Sequence, residues 1–235
     1  MRLGILITGD TSGELNAQYG SFAAMFVALF KGQKEQFEYA YYDIRDNEFP
    51  LVVDECDGWL ITGSEHGVYD QLPWMEPLQQ FIRAVSDTTI PMIGICFGHQ
   101  IMAAALGGQV AKSERGWGLG LHRYEVTGKD DAETVVINAM HQDQVMSLPQ
   151  NAEVFLSSPF CPYAGLYYGP RMMSIQAHPE FSSEFTVAQM EALKGRVFPE
   201  DLTEQAVAAL TAGGTQPDTA RVTRWMIDLL RTESV

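Results

Sequence analysis

The stretch Pro91-Met92-Ile93-Gly94-Ile95-Cys96-Phe97-Gly98-His99-Gln100 decides the fold class. It begins as a continuous apolar run, turns at two closely spaced glycines, and continues into a helical pattern that ends before Gly107. Continuous rather than alternating apolar runs are typical of strands in a parallel sheet that is covered on both faces. A strand that leads directly into a helix therefore predicts a βαβ unit and an α/β protein.

The same alternation of strand and helix extends over the first half of the chain. Apolar runs predict strands at 3–7, 37–42, 58–62 and 91–95. Helical spacing predicts helices at 19–29, 77–85 and 100–106, and two glycines bound a predicted turn at 9–13.

The second half is richer in short strands. Strands are predicted at 122–126, 134–137, 153–157, 165–168 and 171–176, followed by helices at 184–193, 203–210 and 219–230. We therefore predict a three-layer α/β fold with a mostly parallel central sheet flanked by helices and a small antiparallel β addition. The sequence holds no repeat and no linker, so it predicts a single domain over 1–235 with C-terminal helices from about 184 to 235.

Charge and composition argue against several classes of protein. The chain carries 30 acidic and 15 basic side chains, a net charge of −15, which argues against a nucleic-acid partner. Three cysteines, an odd and low number, indicate free thiols in a reducing compartment. Because no apolar stretch reaches the length of a signal peptide or a membrane span, we expect a cytoplasmic protein without a membrane partner. The sequence holds no phosphate-binding glycine loop and no metal-ligand cluster, so neither a cofactor nor a metal is expected.

Cys96 is a candidate nucleophile because glycines flank it at positions −2 and +2 between a strand and a helix. Such a sharp turn needs small neighbours, and it places the thiol at a helix N-terminus, where the helix dipole favours thiolate. The N–H group of Phe97 would then stabilise an oxyanion. The alternative is a buried structural cysteine, which is how we interpret Cys56 and Cys161.

A cysteine nucleophile needs a base, and His178 is the best placed of the five histidines. It follows an apolar strand, at the edge where active sites of parallel sheets gather. Glu180 lies two residues further on, so in an extended segment it can share a side with His178 and orient the imidazole. The alternatives are a histidine that merely ends a strand, or a different base. His99 is close to Cys96 in sequence but is expected to point away from it.

These motifs together resemble the class I glutamine amidotransferase family, whose members carry a G-x-C-x-G-x-Q elbow and a distant H-P-E. The first is Gly94 to Gln100 and the second is His178-Pro179-Glu180. The segments 56–64 and 140–145 resemble the family's oxyanion loop and its S-H-x-D-x-V segment. The resemblance implies a flavodoxin-like sheet and a glutamine or other small-molecule γ-glutamyl substrate.

The resemblance also implies roles for individual residues. Cys96, His178 and Glu180 would form the catalytic triad, and Cys96 would carry a γ-glutamyl thioester. Gly63 or Ser64, together with Phe97, would supply the oxyanion amides, and Gln100 would help to hold the glutamyl group. His141 and Asp143 match the S-H-x-D-x-V segment without a fixed role, and His141 is expected to order a loop.

The sequence departs from the family in two places. The oxyanion loop reads Gly63-Ser64-Glu65-His66 where many members have Gly-Gly-Pro, so Glu65 and His66 belong either to the pocket mouth or to a solvated loop. Too little sequence follows Phe181 for a synthetase domain. Ammonia would therefore go to a separate synthetase partner, or the protein is a stand-alone γ-glutamyl hydrolase, which we favour. A non-catalytic regulatory relative is a third alternative, and the intact triad argues against it.

Overall fold

The apolar runs of the sequence form the buried strands of one large sheet in the computed structural model, which describes residues 1–11, 13–127 and 133–231. The helices in these ranges are α1 Gly13–Tyr19, α2 Phe22–Gly32, α3 Met75–Ser86, α4 Phe97–Ala105, α5 Ser183–Leu193, α6 Glu200–Thr211 and α7 Thr219–Arg231. The strands are β1 Arg2–Ile7, β2 Glu38–Asp43, β3 Gly58–Ile61, β4 Met92–Ile95, β5 Gln109–Lys112, β6 Gly118–Val126, β7 Thr134–His141, β8 Asp143–Ser147, β9 Ala152–Ser157, β10 Gly165–Tyr168 and β11 Met172–Ile175.

Nine strands form the main sheet in the order β2-β1-β3-β4-β11-β10-β9-β6-β7. The pairs from β2 to β11 are parallel, and those from β11 to β7 are antiparallel. Strands β5 and β8 form a separate antiparallel pair. The carboxyl ends of β2, β1, β3, β4 and β11 therefore all lie at the same edge of the sheet.

Helices cover both faces of the parallel strands. On one face Leu3 and Ile5 of β1 belong to a core that includes residues of α2 and α7. On the other face Leu6 and Ile61 belong to a core that includes residues of α3 and α4. Because successive strand residues point to opposite faces, a fully apolar strand is buried on both sides. The predicted three-layer α/β fold is confirmed.

The first predicted helix is divided differently in the structure. Gly20 has a φ of +82°, a conformation that favours glycine, and Ser21 then caps α2 by accepting a hydrogen bond from the N–H of Ala24 at 3.1 Å. The predicted start at Tyr19 is therefore wrong by three residues. Helix α1, which was not predicted, has no fully buried residue, and its Leu15 and Tyr19 pack against a small apolar cluster while remaining partly exposed. Ser12, inside the predicted turn, lies outside the described residues.

The strands after α4 are longer and more numerous than predicted. Strand β6 begins at Gly118 rather than at residue 122, and β7 continues to His141. His141 therefore ends a strand, and its Nδ1 lies 3.1 Å from the carbonyl oxygen of Asp143 across the turn from β7 to β8, in agreement with the expectation that it orders a loop. Strands β5 and β8 were missed because they are short and pair mainly with each other. None of the helices in the described residues is long and apolar enough to cross a membrane.

Candidate active site

The segment around Cys96 forms a strained strand-to-helix turn. Cys96 has φ 53° and ψ −102°, in a region that non-glycine residues rarely occupy, and it sits at the N-cap of α4. Its N–H donates to the carbonyl of Ile175 in the neighbouring strand at 2.9 Å. A Cβ atom added at Gly94 would collide with the carbonyl of Gly98, and one at Gly98 would come within 2.5 Å of the carbonyl oxygen of Ile61. Both glycines are therefore sterically required.

All three cysteines are free and buried, but their surroundings differ. Burial raises the pKa of Cys161 to about 12, and burial also raises the pKa of Cys56. Cys96 instead lies next to His178: it contributes to the raised pKa of that imidazole, and both residues approach Gly63. Cys96 lines the cavity described below, and Cys56 and Cys161 do not.

His178 and Glu180 form a buried pair beside this thiol. The Nδ1 atom of His178 and the Oε1 atom of Glu180 are 2.7 Å apart, and the two side chains are 4% and 1% exposed. Burial by itself lowers the pKa of His178. The negative charges and hydrogen bonds of Cys96 and Glu180 outweigh that effect and raise the pKa of His178. The geometry therefore favours a cationic imidazole held between two acidic partners.

Two residues that sequence reasoning missed fix the imidazole in place. The ring of Phe181 stacks on that of His178, with 3.9 Å between centroids and 5° between planes. The backbone carbonyl of Asn138 in β7 accepts a hydrogen bond from the backbone N–H of His178. The side-chain amide of Asn138 donates to the carbonyl of Phe181. Strand β7 thus holds both ends of the segment from His178 to Phe181.

The loop after β3 brings its backbone against the cysteine and the histidine. A Cβ atom added at Gly63 would lie 3.2 Å from Cε1 of His178 and 3.7 Å from Cβ of Cys96. The carbonyl of Gly63 accepts hydrogen bonds from the hydroxyls of Thr8 and Thr62, each at 3.2 Å. Thr8 also donates to the carbonyl of Thr62 at 2.9 Å. This buried threonine pair, which sequence reasoning missed, anchors the loop to β1.

A cavity of about 520 Å³ opens over this edge of the sheet. The predicted residues that line it are Gly63, Ser64, Cys96, Gln100 and His178. Phe97 and Glu180 are not among the lining residues, since Phe97 would contribute only its backbone N–H and Glu180 lies behind His178.

Glu65 and His66 also line the cavity, with 3.7 Å between Oε1 of Glu65 and Nε2 of His66. The side chain of Glu65 is 64% exposed. No cluster of potential metal ligands occurs among the residues that the structure describes.

Gln100 holds other protein groups in place. Its side-chain nitrogen donates to the carbonyl of Asp143 at 3.0 Å and to Oε1 of Gln176 at 3.1 Å. Asp143 itself lines the cavity beside Tyr69, and burial together with the neighbouring Asp143 raises the pKa of Tyr69. Burial raises the pKa of Asp143, while the hydrogen bond from Tyr69 and the charge of Lys112 act in the opposite direction.

The remaining histidines near the elbow are buried and neutral. His99 is fully buried, shares a hydrogen bond of 2.8 Å with Ser174, and is not among the cavity-lining residues. Burial lowers the pKa of His99 and of His141 to about 3 each. His141 lines the cavity, and its Nδ1 lies 3.1 Å from the carbonyl oxygen of Asp143. The position of His99 argues against it as a base for Cys96.

A cysteine on a strand-to-helix turn, beside a histidine–glutamate pair at the carboxyl edge of a parallel sheet, defines a class of α/β proteins with a Cys-His-Glu site. The family model for glutamine amidotransferase class-I matches residues 19–194, so the chain belongs to this family. The resemblance drawn from the sequence motifs is thereby confirmed.

Individual relatives extend over most of the chain. A glutamine amidotransferase-type protein of Saccharomyces cerevisiae is 32% identical over 213 residues, which cover 83% of this chain and 84% of the yeast protein. Gamma-glutamyl peptidase 5 of Arabidopsis thaliana is 26% identical over 230 residues, covering 92% of this chain and 90% of the plant protein. The crystal structure of a glutamine amidotransferase from Thermotoga maritima superposes with a TM-score of 0.73 over 99% of both chains at 20% identity, which shows the same fold.

Proposed function

We propose that the protein hydrolyses γ-glutamyl amides, with Cys96 as nucleophile, His178 as general acid and base, and Glu180 as the group that orients His178. The observation that carries the proposal is the placement of Cys96 next to His178, which shares a 2.7 Å hydrogen bond with Glu180. Cys96 and His178 both line a cavity large enough for a γ-glutamyl compound. Gamma-glutamyl peptidase 5, the plant relative, is named for the same bond.

The reaction has two halves. The Cys96 sulfur attacks the γ-carbonyl carbon, His178 donates its proton to the departing amine, and a γ-glutamyl thioester remains on the cysteine. Water then enters, His178 removes one of its protons, and the hydroxide attacks the thioester carbon. The thioester bond breaks, glutamate leaves, and the cysteine sulfur and His178 return to their starting state.

We assign the second oxyanion amide to Ser64. The carbonyl of Gly63 points toward the hydroxyls of Thr8 and Thr62, which lie on the side away from the cavity. Because the peptide bond is planar and trans, the N–H of Ser64 points to the opposite side. That N–H and the one of Phe97, which as the first residue of α4 has no partner within the helix, would meet at the oxygen of the tetrahedral intermediate.

Gln100 acts indirectly in this proposal. Its amide nitrogen holds the backbone of Asp143, so Gln100 positions a carboxylate rather than the substrate itself. The carboxylate of Asp143 faces the cavity and suits the α-ammonium group of a glutamyl substrate.

We further propose that the chain hydrolyses its substrate without a synthetase partner. The thiol–imidazole contact, the histidine–glutamate hydrogen bond and the anchored loop at Gly63 are all present in the single chain. A chain that already holds these groups needs no partner to assemble them, whereas a missing oxyanion donor would cost roughly 10²–10³ in rate. The alternative is a glutaminase subunit that passes ammonia to a separate enzyme.

The test is glutamate release by the purified chain from glutamine and from γ-glutamyl dipeptides, with no other protein present. We expect turnover by the wild type, its loss in Cys96→Ala, and its retention in Cys56→Ala, which also removes a buried thiol. A glutamine-like electrophile should label Cys96 far faster than Cys56 or Cys161.

Negligible turnover on every donor, with equal labelling of the three cysteines, would overturn the proposed hydrolase. Negligible turnover that a co-purifying protein restores would support the ammonia-supplying alternative and reject stand-alone action, while leaving the assignment of Cys96 intact.

A further inference from the structure

The residues that line the cavity include two chemically different groups. Ser64, Glu65, Asp70 and Asp143, from the loop after β3 and the start of β8, are polar and mostly acidic. Trp117, Leu193, Val197 and Phe198 are apolar, and we call them the aromatic wall. The mechanism proposed above uses the polar group and the residues around Cys96, so the aromatic wall has no role in it.

Backbone hydrogen bonds and ring packing hold the aromatic wall in place. After α5 the chain turns back on itself, and the N–H groups of Val197 and Phe198 both donate to the carbonyl of Leu193, at 2.9 and 3.2 Å. Trp117 packs edge-on against Phe198, with 4.8 Å between ring centroids and 78° between planes. A preformed apolar surface loses little entropy when a ligand binds to it.

Core packing explains only part of this wall. Phe198 is buried among Leu119, Met190 and Ala206 and serves the core. Val197 is 46% exposed, and Trp117 and Leu193 are partly exposed, although all three are apolar and line the cavity. Apolar side chains that line a cavity beside convergent polar groups are the usual make-up of a small-molecule site.

An apolar surface connects the wall to the imidazole of His178. Phe181 stacks on His178 and belongs to a small apolar cluster against which Met140 packs. Met140 also packs against the cluster that contains Phe198. Met140 therefore connects the apolar surface at Phe181 with the aromatic wall, and all of these residues line the cavity.

The proposed chemistry places the leaving amine beside the apolar surface that starts at Phe181. His178 donates its proton to the departing nitrogen, so that nitrogen must lie next to the imidazole during the first half-reaction. Whatever substituent the nitrogen carries extends away from Cys96, along Phe181 and Met140. The glutamyl portion lies toward the oxyanion loop and the carboxylate of Asp143.

We infer that the aromatic wall is a leaving-group subsite, and that the preferred donors are γ-glutamyl conjugates of amines or amino acids with an apolar side chain, rather than glutamine. This inference rests on the proposed hydrolysis of γ-glutamyl amides. The cavity volume agrees with it, because about 520 Å³ lies within the range that holds drug-sized ligands and one glutamine would fill only part of it.

The experiment compares γ-glutamylglycine, γ-glutamylleucine and γ-glutamylphenylalanine, which differ only in the side chain of the leaving amino acid, with glutamate release as the readout. In the wild type we expect kcat/KM for the leucine and phenylalanine donors to exceed that for the glycine donor by about 10-fold or more, as for an apolar group entering a hydrophobic pocket. Trp117→Ala and Val197→Ser should each reduce this ratio. Val197 is half-exposed on a turn, so its change tests the wall even where the loss of Trp117 disturbs packing.

Val52→Ser is the matched control, since Val52 is also an exposed valine but lies outside the cavity. It should leave the ratio as in the wild type. Equal kcat/KM for all three donors, or a ratio that persists in both wall variants, would overturn the leaving-group subsite while leaving the hydrolase in place. Absence of glutamate release from every donor would overturn the proposed function and this inference with it.

Discussion

At the residue scale, His178 and Glu180 carry different parts of the proposed chemistry. His178 moves a proton in both half-reactions, whereas Glu180 accepts its Nδ1–H and stabilises its cation. We therefore expect His178→Ala to lower kcat by roughly 10³-fold or more, the size seen when a triad base is lost. Glu180→Gln keeps the shape of the side chain and removes its charge, so it should lower kcat by less. Steady-state glutamate release measures both.

A histidine that is close in sequence provides the control for this comparison. His99 is three residues from Cys96, but it is buried on α4 and hydrogen bonds with Ser174. His99→Gln should affect stability rather than kcat of the folded protein. If His99→Gln abolished turnover while His178→Ala remained active, the base would be wrongly assigned.

Reactive residues can be predicted from the sequence more easily than the residues that hold them in position. Cys96 and the pair His178 and Glu180 stand in short motifs whose spacing carries chemical meaning. Thr8 lies 55 residues from Gly63, and Asn138 lies 43 residues from Phe181, yet each hydrogen bonds with its distant partner. Such contacts depend on which strands become neighbours in the sheet, and a local pattern does not encode that order.

At the scale of single elements, the turn from β4 to α4 depends on the absence of a side chain at Gly98. Gly98→Ala would bring a Cβ to 2.5 Å from the carbonyl oxygen and 3.0 Å from the Cβ of Ile61 in β3. Neither can move without shifting the central sheet, so we expect a loss of about 1–3 kcal/mol in stability. For a chain of this size that lowers Tm by several degrees, about 2–4 °C per kcal/mol.

Gly32 provides the matched control for this change. An added Cβ at Gly32 would meet no atom within 4 Å, and the residue ends α2 without a left-handed backbone. Gly32→Ala should leave Tm unchanged or raise it slightly, because alanine favours helix more than glycine does. Equal effects of the two changes on thermal unfolding would contradict the steric account of the turn.

Elements were predictable from the sequence where burial imposes a pattern. Strands β1, β3 and β4 lie under helices on both faces, and their continuous apolar runs were identified. Helix α1 packs only Leu15 and Tyr19 against an apolar cluster, and strand β5 has no buried residue, so neither shows a periodicity long enough to report its conformation. Strand β6 was predicted to start too late because glycines occupy its first positions. Gly120 has a φ of +78°, and a Cβ atom added there would lie 3.2 Å from the Cβ of Ala206 in α6.

At the scale of the whole molecule, the fold buries two histidines in their neutral form. His99 and His141 are only 0% and 3% exposed, so water solvates a cation poorly at either position, and burial lowers the pKa of each to about 3. In the unfolded chain a histidine has a pKa of about 6.5. The pKa of each is thus lower in the folded state, so the unfolded chain takes up protons first as the pH falls. The resulting stability is fully present above pH 6.5 and is lost as the pH falls toward 3.

We therefore expect the free energy of unfolding to fall between pH 7 and pH 5, by about 2 kcal/mol for each of the two histidines. The raised pKa of His178 does not cancel this loss. A histidine with a raised pKa in the folded state stabilises the fold at low pH, and most of that stabilisation is already present at pH 7.

Urea unfolding at pH 7 and pH 5 compares the wild type with His99→Gln. The variant lacks one of the two buried neutral imidazoles, so its stability should fall by about 2 kcal/mol less than that of the wild type over this interval. Comparing the two proteins removes the contributions of all groups that they share, and between pH 7 and 8 their difference should stay constant. An equal loss in both proteins from pH 7 to 5 would mean that His99 gains its proton in the folded state as readily as in the unfolded chain.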